Sequence, residues 1–333
     1  MTSQTRGPST LGMPSGPGFD MNEKCLIGPP CWVAKGASGF YRARGADVSP
    51  SGKGSLMRFR RALVAIALSV GAPAAVSAEA SAQDARQVDI AYEITFAGLS
   101  GFRIDVTAKF NGANYDVESR TFKEGLLRAV TMHYDGRNRA WGGFSTQGAR
   151  PSAGSLSIVV GDKPRTWIAQ YGGGTMQEQH NPAYKPSPQN TISEEQRRGS
   201  LDPLSAALSV GMAGDAACDR TVQTNDGKRR IDVIIRKVGT EPAAKAGVPG
   251  AQGDLLICEI STRRIAGEFD EAPKEAEAER DRPMRVWFAR LDQTQMRYPA
   301  KLEAHTGFGT IRGRILTFRE RPMTPDESQA MRK

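Results

Sequence analysis

Three consecutive cations, Lys228-Arg229-Arg230, follow the turn signal Asn225-Asp226-Gly227. At a hairpin tip such a cluster meets a phosphate, a lipid headgroup or an acidic partner. Strand alternation offers the plainer role: one arginine points outward and the other pairs with Asp226 or Asp232. The chain has three histidines, His133, His180 and His305. None stands three or four residues from a carboxylate, a cysteine or another histidine, so no metal set is expected. His133 and His305 fall in strandlike stretches and read as sheet residues. His180 lies in a polar loop and is free to reach a site, so it joins Lys228, Arg229 and Arg230 as a candidate ligand contact. Gly98-Leu99-Ser100-Gly101 is one residue short of a nucleophile elbow and sits in a turn. Gly307 to Gly313 lacks dinucleotide-loop spacing, and Gly227-Lys228 lacks the rest of a phosphate loop. No catalytic residue and no cofactor is expected. An enzyme would need His180 brought to Asp202 or Glu194 by the fold.

Cys25 and Cys31 lie far upstream with no second ligand pair. Cys218 and Cys258, each flanking a strandlike stretch, are expected to form a disulfide, which requires an oxidising compartment; two buried thiols are the alternative.

An export signal supplies that compartment. Arg58, Arg60 and Arg61 follow Met57, Ala62–Val76 runs uncharged, and small residues end at Ala78 and Ala82, either of which suits cleavage. Fifteen residues broken by Gly71 and Pro73 are too few for a permanent span of about 20. Residues 1–56, rich in Gly, Pro and Ser, read as a disordered extension upstream of a start at Met57. The expected location is therefore the periplasm, by the general secretion route. This also explains the charge. The chain of 333 residues carries +9, but residues 1–82 hold nine basic and four acidic groups, leaving 36 and 32 beyond them. That remainder gives no support to nucleic-acid binding.

The elements that must position these residues are strands. Val88–Phe96 alternates apolar and polar residues, Gly98 and Gly101 bracket a turn, Phe102–Phe110 repeats the alternation, and Asn111-Gly112 turns into Tyr115–Thr121. Strandlike stretches follow at Leu126–Tyr134, Arg139–Phe144, Leu156–Val160 and Arg165–Tyr171. Residues 172–200 read as a long polar covering loop. Asp202-Pro203 then opens a helix, with Asp202 as cap and Leu204 and Leu208 on one face. Strands resume at Asp219–Thr224, Arg230–Val238, Leu255–Arg263, Arg285–Leu291, Ala300–His305 and Thr310–Phe318. Glu268–Arg282 reads as an exposed charged segment able to form a short helix, and residues 321–333 as a disordered tail. The fold class is mainly β: residues 83–320 form one curved antiparallel sheet closing toward a barrel or half-barrel, with one short helix and the covering loop.

The landmarks AYEITFAGLSGFRIDV, LDPLSA at Leu201–Ala206, NDGKRRIDV at Asn225–Val233, Cys258 and YPAKLEAHTGFGTIRGRI, in that order, resemble the exported proteobacterial family known as domain of unknown function 3108. The likeness runs from Tyr92 to Phe318. It implies an exported β-rich domain and brings no activity and no catalytic residues.

Three functions are compatible with this reading. The first is non-catalytic binding of an apolar or lipid-like ligand or an envelope partner, with Ile90, Tyr92, Ile94, Ile104 and Val106 lining a cavity. The second is a structural partner that adds a strand to another envelope protein. The third is a hydrolase acting on an envelope polymer.

Overall fold

Among the described residues the period-two alternation produces thirteen strands in a single sheet. A computed structural model of the protein describes residues 85–125, 128, 133–268, 283–306 and 309–331. The export signal, the upstream extension, most of Leu126–Tyr134 and nearly all of Glu268–Arg282 lie outside the described residues.

Two meanders make up the sheet. The first comprises β1 (Arg86–Phe96), β2 (Leu99–Asn111), β3 (Asn114–Lys123), β4 (Tyr134–Ser145), β5 (Gly148–Val160), β6 (Lys163–Gly172) and β7 (Thr175–Asn181). The second comprises β8 (Arg220–Asn225), β9 (Arg229–Pro242), β10 (Gln252–Gly267), β11 (Met284–Arg290), β12 (Tyr298–Thr306) and β13 (Gly309–Pro322). β1 pairs antiparallel with β13, which joins the meanders and leaves β7 and β8, consecutive in the chain, as the two edges. The sheet curls until these edges approach each other. Gly227, in the β8–β9 turn, lies so near the indole of Trp167 on β6 that a Cβ there would sit 2.5 Å from the ring.

No β7–β8 ladder closes the seam among the described residues. The connecting segment fills it with α1 (Glu194–Arg197) and α2 (Pro203–Met212). Just before α2, Asn225 N donates to Leu201 O at 2.8 Å and Leu201 N to Gln223 O at 2.9 Å, covering part of the β8 edge. The part of the edge covered in this way no longer invites pairing with another chain.

α2 is buried on two sides. Leu208 packs into the core of Val88, Ile90, Tyr115, Tyr298 and Ile315. Ala206 and Val210 pack with Val222, Ile235, Leu256 and Phe288. Asp202 caps the helix as its sequence implied: its Oδ1 accepts from Leu204 N at 3.0 Å and Ser205 N at 2.9 Å, and Pro203 occupies the first turn. Burial pushes the Asp202 carboxyl above the usual range. Asp202→Ala is expected to cost about 1–2 kcal/mol in a urea titration; a variant within about 0.5 kcal/mol of the parent would contradict the cap's importance.

The disulfide Cys218–Cys258 is present, with both residues buried and Cα atoms 5.9 Å apart. It ties the end of the connecting segment to β10, across β9.

Three expectations need correction. The long covering loop is partly a strand: Gly173 and Gly174, at φ of 60° and 79°, make a tight turn from β6 into β7, so His180 belongs to the sheet. His133 precedes β4 instead of lying within a strand. The tail is ordered through residue 331: β13 runs to Pro322, and α4 (Pro325–Ala330, following the short helix α3 at Ala243–Ala246) begins with a Thr324/Glu327 capping box. Arg321 grips Glu327 at 2.7 Å, and Asn111 Nδ2 donates to Ser328 O at 2.8 Å. These contacts give the tail the anchors its polar composition does not reveal.

Candidate functional site

Along β7 the alternation is unusual. Met176, Glu178 and His180 turn toward the inside of the curled sheet, while Gln177, Gln179 and Asn181 face solvent. A carboxyl group and an imidazole thus occupy positions that other strands give to valine or isoleucine. They look into a cleft of about 410 Å³ at the seam. Its walls are β7, the connecting segment through Tyr184, Asn190 and Ile192, the end of α1 at Arg197, and the β8–β9 turn at Gly227 and Lys228.

Local rules fix each wall. The turn is built by its own side chains: Asn225 Oδ1 accepts from Gly227 N at 2.8 Å, and Asp226 Oδ1 accepts from Lys228 N at 3.0 Å. α1 starts with a capping box in which Ser193 and Gln196 satisfy each other's backbone amides. Arg230 Nε donates to Gln196 O at 3.0 Å and so anchors the end of α1. That places Arg197 Nε 3.4 Å from Glu178 Oε2.

Lys228 Nζ stands 4.7 Å from the centre of the Tyr184 ring and 3.0 Å from Glu268 Oε2. The His180 ring centre is 5.2 Å from that of Tyr184. Several polar atoms in this region make no close hydrogen bond: Glu178 Oε1, Tyr184 Oη and Arg197 Nε around the cleft, the last held to Glu178 Oε2 only by the 3.4 Å ion pair, and Trp167 Nε1 and Asn225 Nδ2 at the base of the turn. A buried polar atom left unsatisfied costs about 1–3 kcal/mol. Arg220 Nε, Trp287 Nε1 and Arg290 Nε are in the same state elsewhere, but the largest group gathers around this opening, where a polar occupant could satisfy it.

The electrostatics disfavour charge on both inward groups. Burial pushes the Glu178 carboxyl up, against the opposing pull of Arg197. Burial also lowers the His180 imidazole, helped by Lys228 and Arg197. Tyr184 is raised by burial and by Glu268. A raised carboxyl contributes stability that is complete below its unfolded value of about 4.3 and is lost as pH rises through the higher folded value. Glu178→Gln, which cannot ionise, is therefore expected to flatten the stability-against-pH profile just above that value. Denaturation midpoints from pH 4 to 8 check this, and an unchanged slope would contradict it.

Of the residues singled out in the sequence, His180 and Lys228 meet at this cleft. Arg229 and Arg230 do not line it. Arg229 Nε pairs with Asp226 Oδ2 at 2.8 Å. Arg230 is buried and holds Asp232 Oδ1 at 2.8 Å, and Arg263 takes the other oxygen at 2.6 Å. Burial raises Asp232, but the two guanidinium groups prevail and hold it below the usual carboxylate range. The pair an enzyme would need is also not assembled at the cleft, since Asp202 caps α2 and Glu194 is exposed in the first turn of α1. Glu178, Tyr184 and Arg197 escaped the sequence reading. The one available signal was Glu178 and His180 two apart after a glycine turn.

The positions expected to line an apolar cavity belong to a filled core. Ile94 and Ile104 pack on Ile311, with Tyr92 and Val106 against them, and Ile90 packs with Val88 and Ile315. Among the described residues no helix is long and apolar enough to cross a membrane.

A family model described as "Protein of unknown function (DUF3108)" matches residues 87–315. No curated protein matches the chain. Among solved structures, a beta-barrel-like protein of domain of unknown function DUF1849 from Brucella abortus is 14% identical, with a TM-score of 0.40. The match covers 71% of this chain and 97% of that one.

Proposed function

The chain belongs to the family of proteins of unknown function DUF3108, and since membership assigns no activity, we propose from the site that it is an exported, non-catalytic binding protein holding a small polar molecule in the seam cleft. The observation that carries this is the group of buried polar atoms without close hydrogen bonds around one opening. Support for export comes from the cationic, apolar and small-residue segments between Met57 and Ala82, together with a disulfide that needs an oxidising compartment to form. Packing of Ile90, Ile94 and Ile104 into buried clusters supports a polar ligand over the apolar or lipid-like one expected of a curved sheet.

The test is to express the full chain in a Gram-negative host and analyse the osmotic-shock fraction by native mass spectrometry. The protein is expected there, oxidised, with a small water-soluble molecule bound. Recovery from the cytosol with free thiols would contradict export. A retained fatty acid or phospholipid would contradict the polar cleft.

Assembly by strand addition is the second reading. It is favoured by the outer edge of β7, which pairs with no strand among the described residues. Lysine at Gln179, exposed on that edge strand, would disfavour such a partner while leaving the inward side chains of the cleft in place.

A further inference from the structure

Resting on the reading of the seam cleft as a polar binding site, we infer that its occupant is an uncharged polyhydroxyl compound, a neutral saccharide. The formal charges at the opening cancel in pairs. Glu178 faces Arg197 at 3.4 Å, and Lys228 faces Glu268 at 3.0 Å. An entering phosphate or carboxylate would meet the buried Glu178 carboxyl, whose side chain is only 7% exposed, and would gain no cation not already engaged. An entering amine would meet Arg197 and Lys228 instead. Either ion would also lose its hydration in a site that disfavours charge on its own two inward groups.

The free valences fit a diol. Glu178 Oε1 and Tyr184 Oη make no close hydrogen bond, although Asn225 and Glu268 stand near them, and Arg197 Nε meets Glu178 Oε2 only at 3.4 Å, so each can take a better-placed partner. A hydroxyl group is both donor and acceptor. One ligand hydroxyl can give its proton to Glu178 while its neighbour accepts from Arg197, and this uses the ion pair as a fork for adjacent hydroxyls. Met176, Pro186 and Ile192 supply the apolar part of the wall, against which the C–H face of a pyranose can lie. A chain of methylenes would satisfy none of the free polar atoms, and a lone anion would leave Glu178 unsatisfied.

The same arrangement sets which substitutions matter. Tyr184→Phe keeps the ring that carries Lys228 and His180 and removes the hydroxyl alone. It is expected to weaken saccharide binding about 3- to 10-fold. Glu178→Gln keeps the shape and turns an ionisable acceptor into an amide, with an expected loss of about 10- to 100-fold. Gln179→Ala, on the solvent face of β7, serves as the control that leaves affinity unchanged.

The experiment is isothermal titration of the oxidised protein, stripped of bound molecules by refolding. The probes are glucose, N-acetylglucosamine, maltose, trehalose and N,N′-diacetylchitobiose, beside inorganic phosphate, L-glutamate and palmitate. Binding of at least one saccharide, weakened by Tyr184→Phe and Glu178→Gln but not by Gln179→Ala, is the expected result. Binding of phosphate or glutamate alone, sensitive to the same variants, would overturn the saccharide inference and leave the polar site standing. Palmitate alone would overturn both. Heat with no probe, in protein whose far-UV circular dichroism matches the unstripped sample, would overturn the saccharide inference. Circular dichroism of each variant separates lost binding from lost folding.

Discussion

Removing the Cys218–Cys258 bridge, as the double variant Cys218→Ala/Cys258→Ala, is expected to lower Tm by about 8–15 °C. The bridge closes a separation of 40 residues, and a loop of that size removes about 4 kcal/mol of chain entropy from the unfolded state. Its position adds a local effect. Cys218 ends the segment that fills the seam, and Cys258 is wholly buried on β10 beside Val222, Ile235 and Leu256. Without it, the connection from α2 to β8 is held by the buried Ala217, by Asp215 on Arg290 and Arg297, and by Asp219 Oδ1 accepting from Lys237 N at 2.9 Å. The same loss should follow treatment of the parent protein with a strong reductant. A change in Tm of less than about 2 °C would show that the bridge carries little of the fold.

Gly227→Ala should be the most damaging small substitution at the site. Gly227 has φ of +89°, and a Cβ would lie 2.5 Å from Cδ1 and Nε1 of Trp167. The backbone conformation alone costs a non-glycine residue about 1–2 kcal/mol. The collision adds more because the indole is 4% exposed and packed among Leu156, Ile158 and Met176, so it has no room to retreat. Together they predict a loss of about 2–4 kcal/mol, with a shift in tryptophan fluorescence as the turn is pushed off β6. Gly250→Ala gives the comparison, since it has φ of +73° with nothing within 4 Å. It should show the backbone cost without the collision. Equal effects at the two positions would mean that the turn does not rest on Trp167.

Much of the fold was legible because half-buried strands declare themselves. Val88, Ile90 and Ile94 alternate with polar residues, Asn111-Gly112 turns, and Asp202-Pro203 opens α2. That the strands form one antiparallel sheet also followed. β7 was not legible, and for a physical reason. Its inward positions hold Glu178 and His180 instead of aliphatic residues, so the period-two signal disappears where the site replaces the core. Local rules fail at functional positions for this reason. Arg229 and Arg230 follow the plainer of the two roles that strand alternation offered. A run of cations looks like one cluster, yet side chains alternate, and each arginine found an aspartate two or three residues away. Only Lys228, at the turn itself, reaches the cleft. Tyr184 and Arg197 lie in the connecting segment, where no periodicity says which side chains turn inward.

Isoleucine methyl NMR separates the seam cleft from the core most directly. Ile192 lines the cleft, whereas Ile94, Ile104 and Ile311 form a buried cluster between β1, β2 and β13. Small molecules extracted from protein purified out of the envelope would be added back to the stripped, oxidised chain. A shift of the Ile192 methyl, with the other three unmoved, is the predicted result. Shifts at Ile94, Ile104 and Ile311 with Ile192 unchanged would place the ligand inside the core and contradict the seam as the binding site.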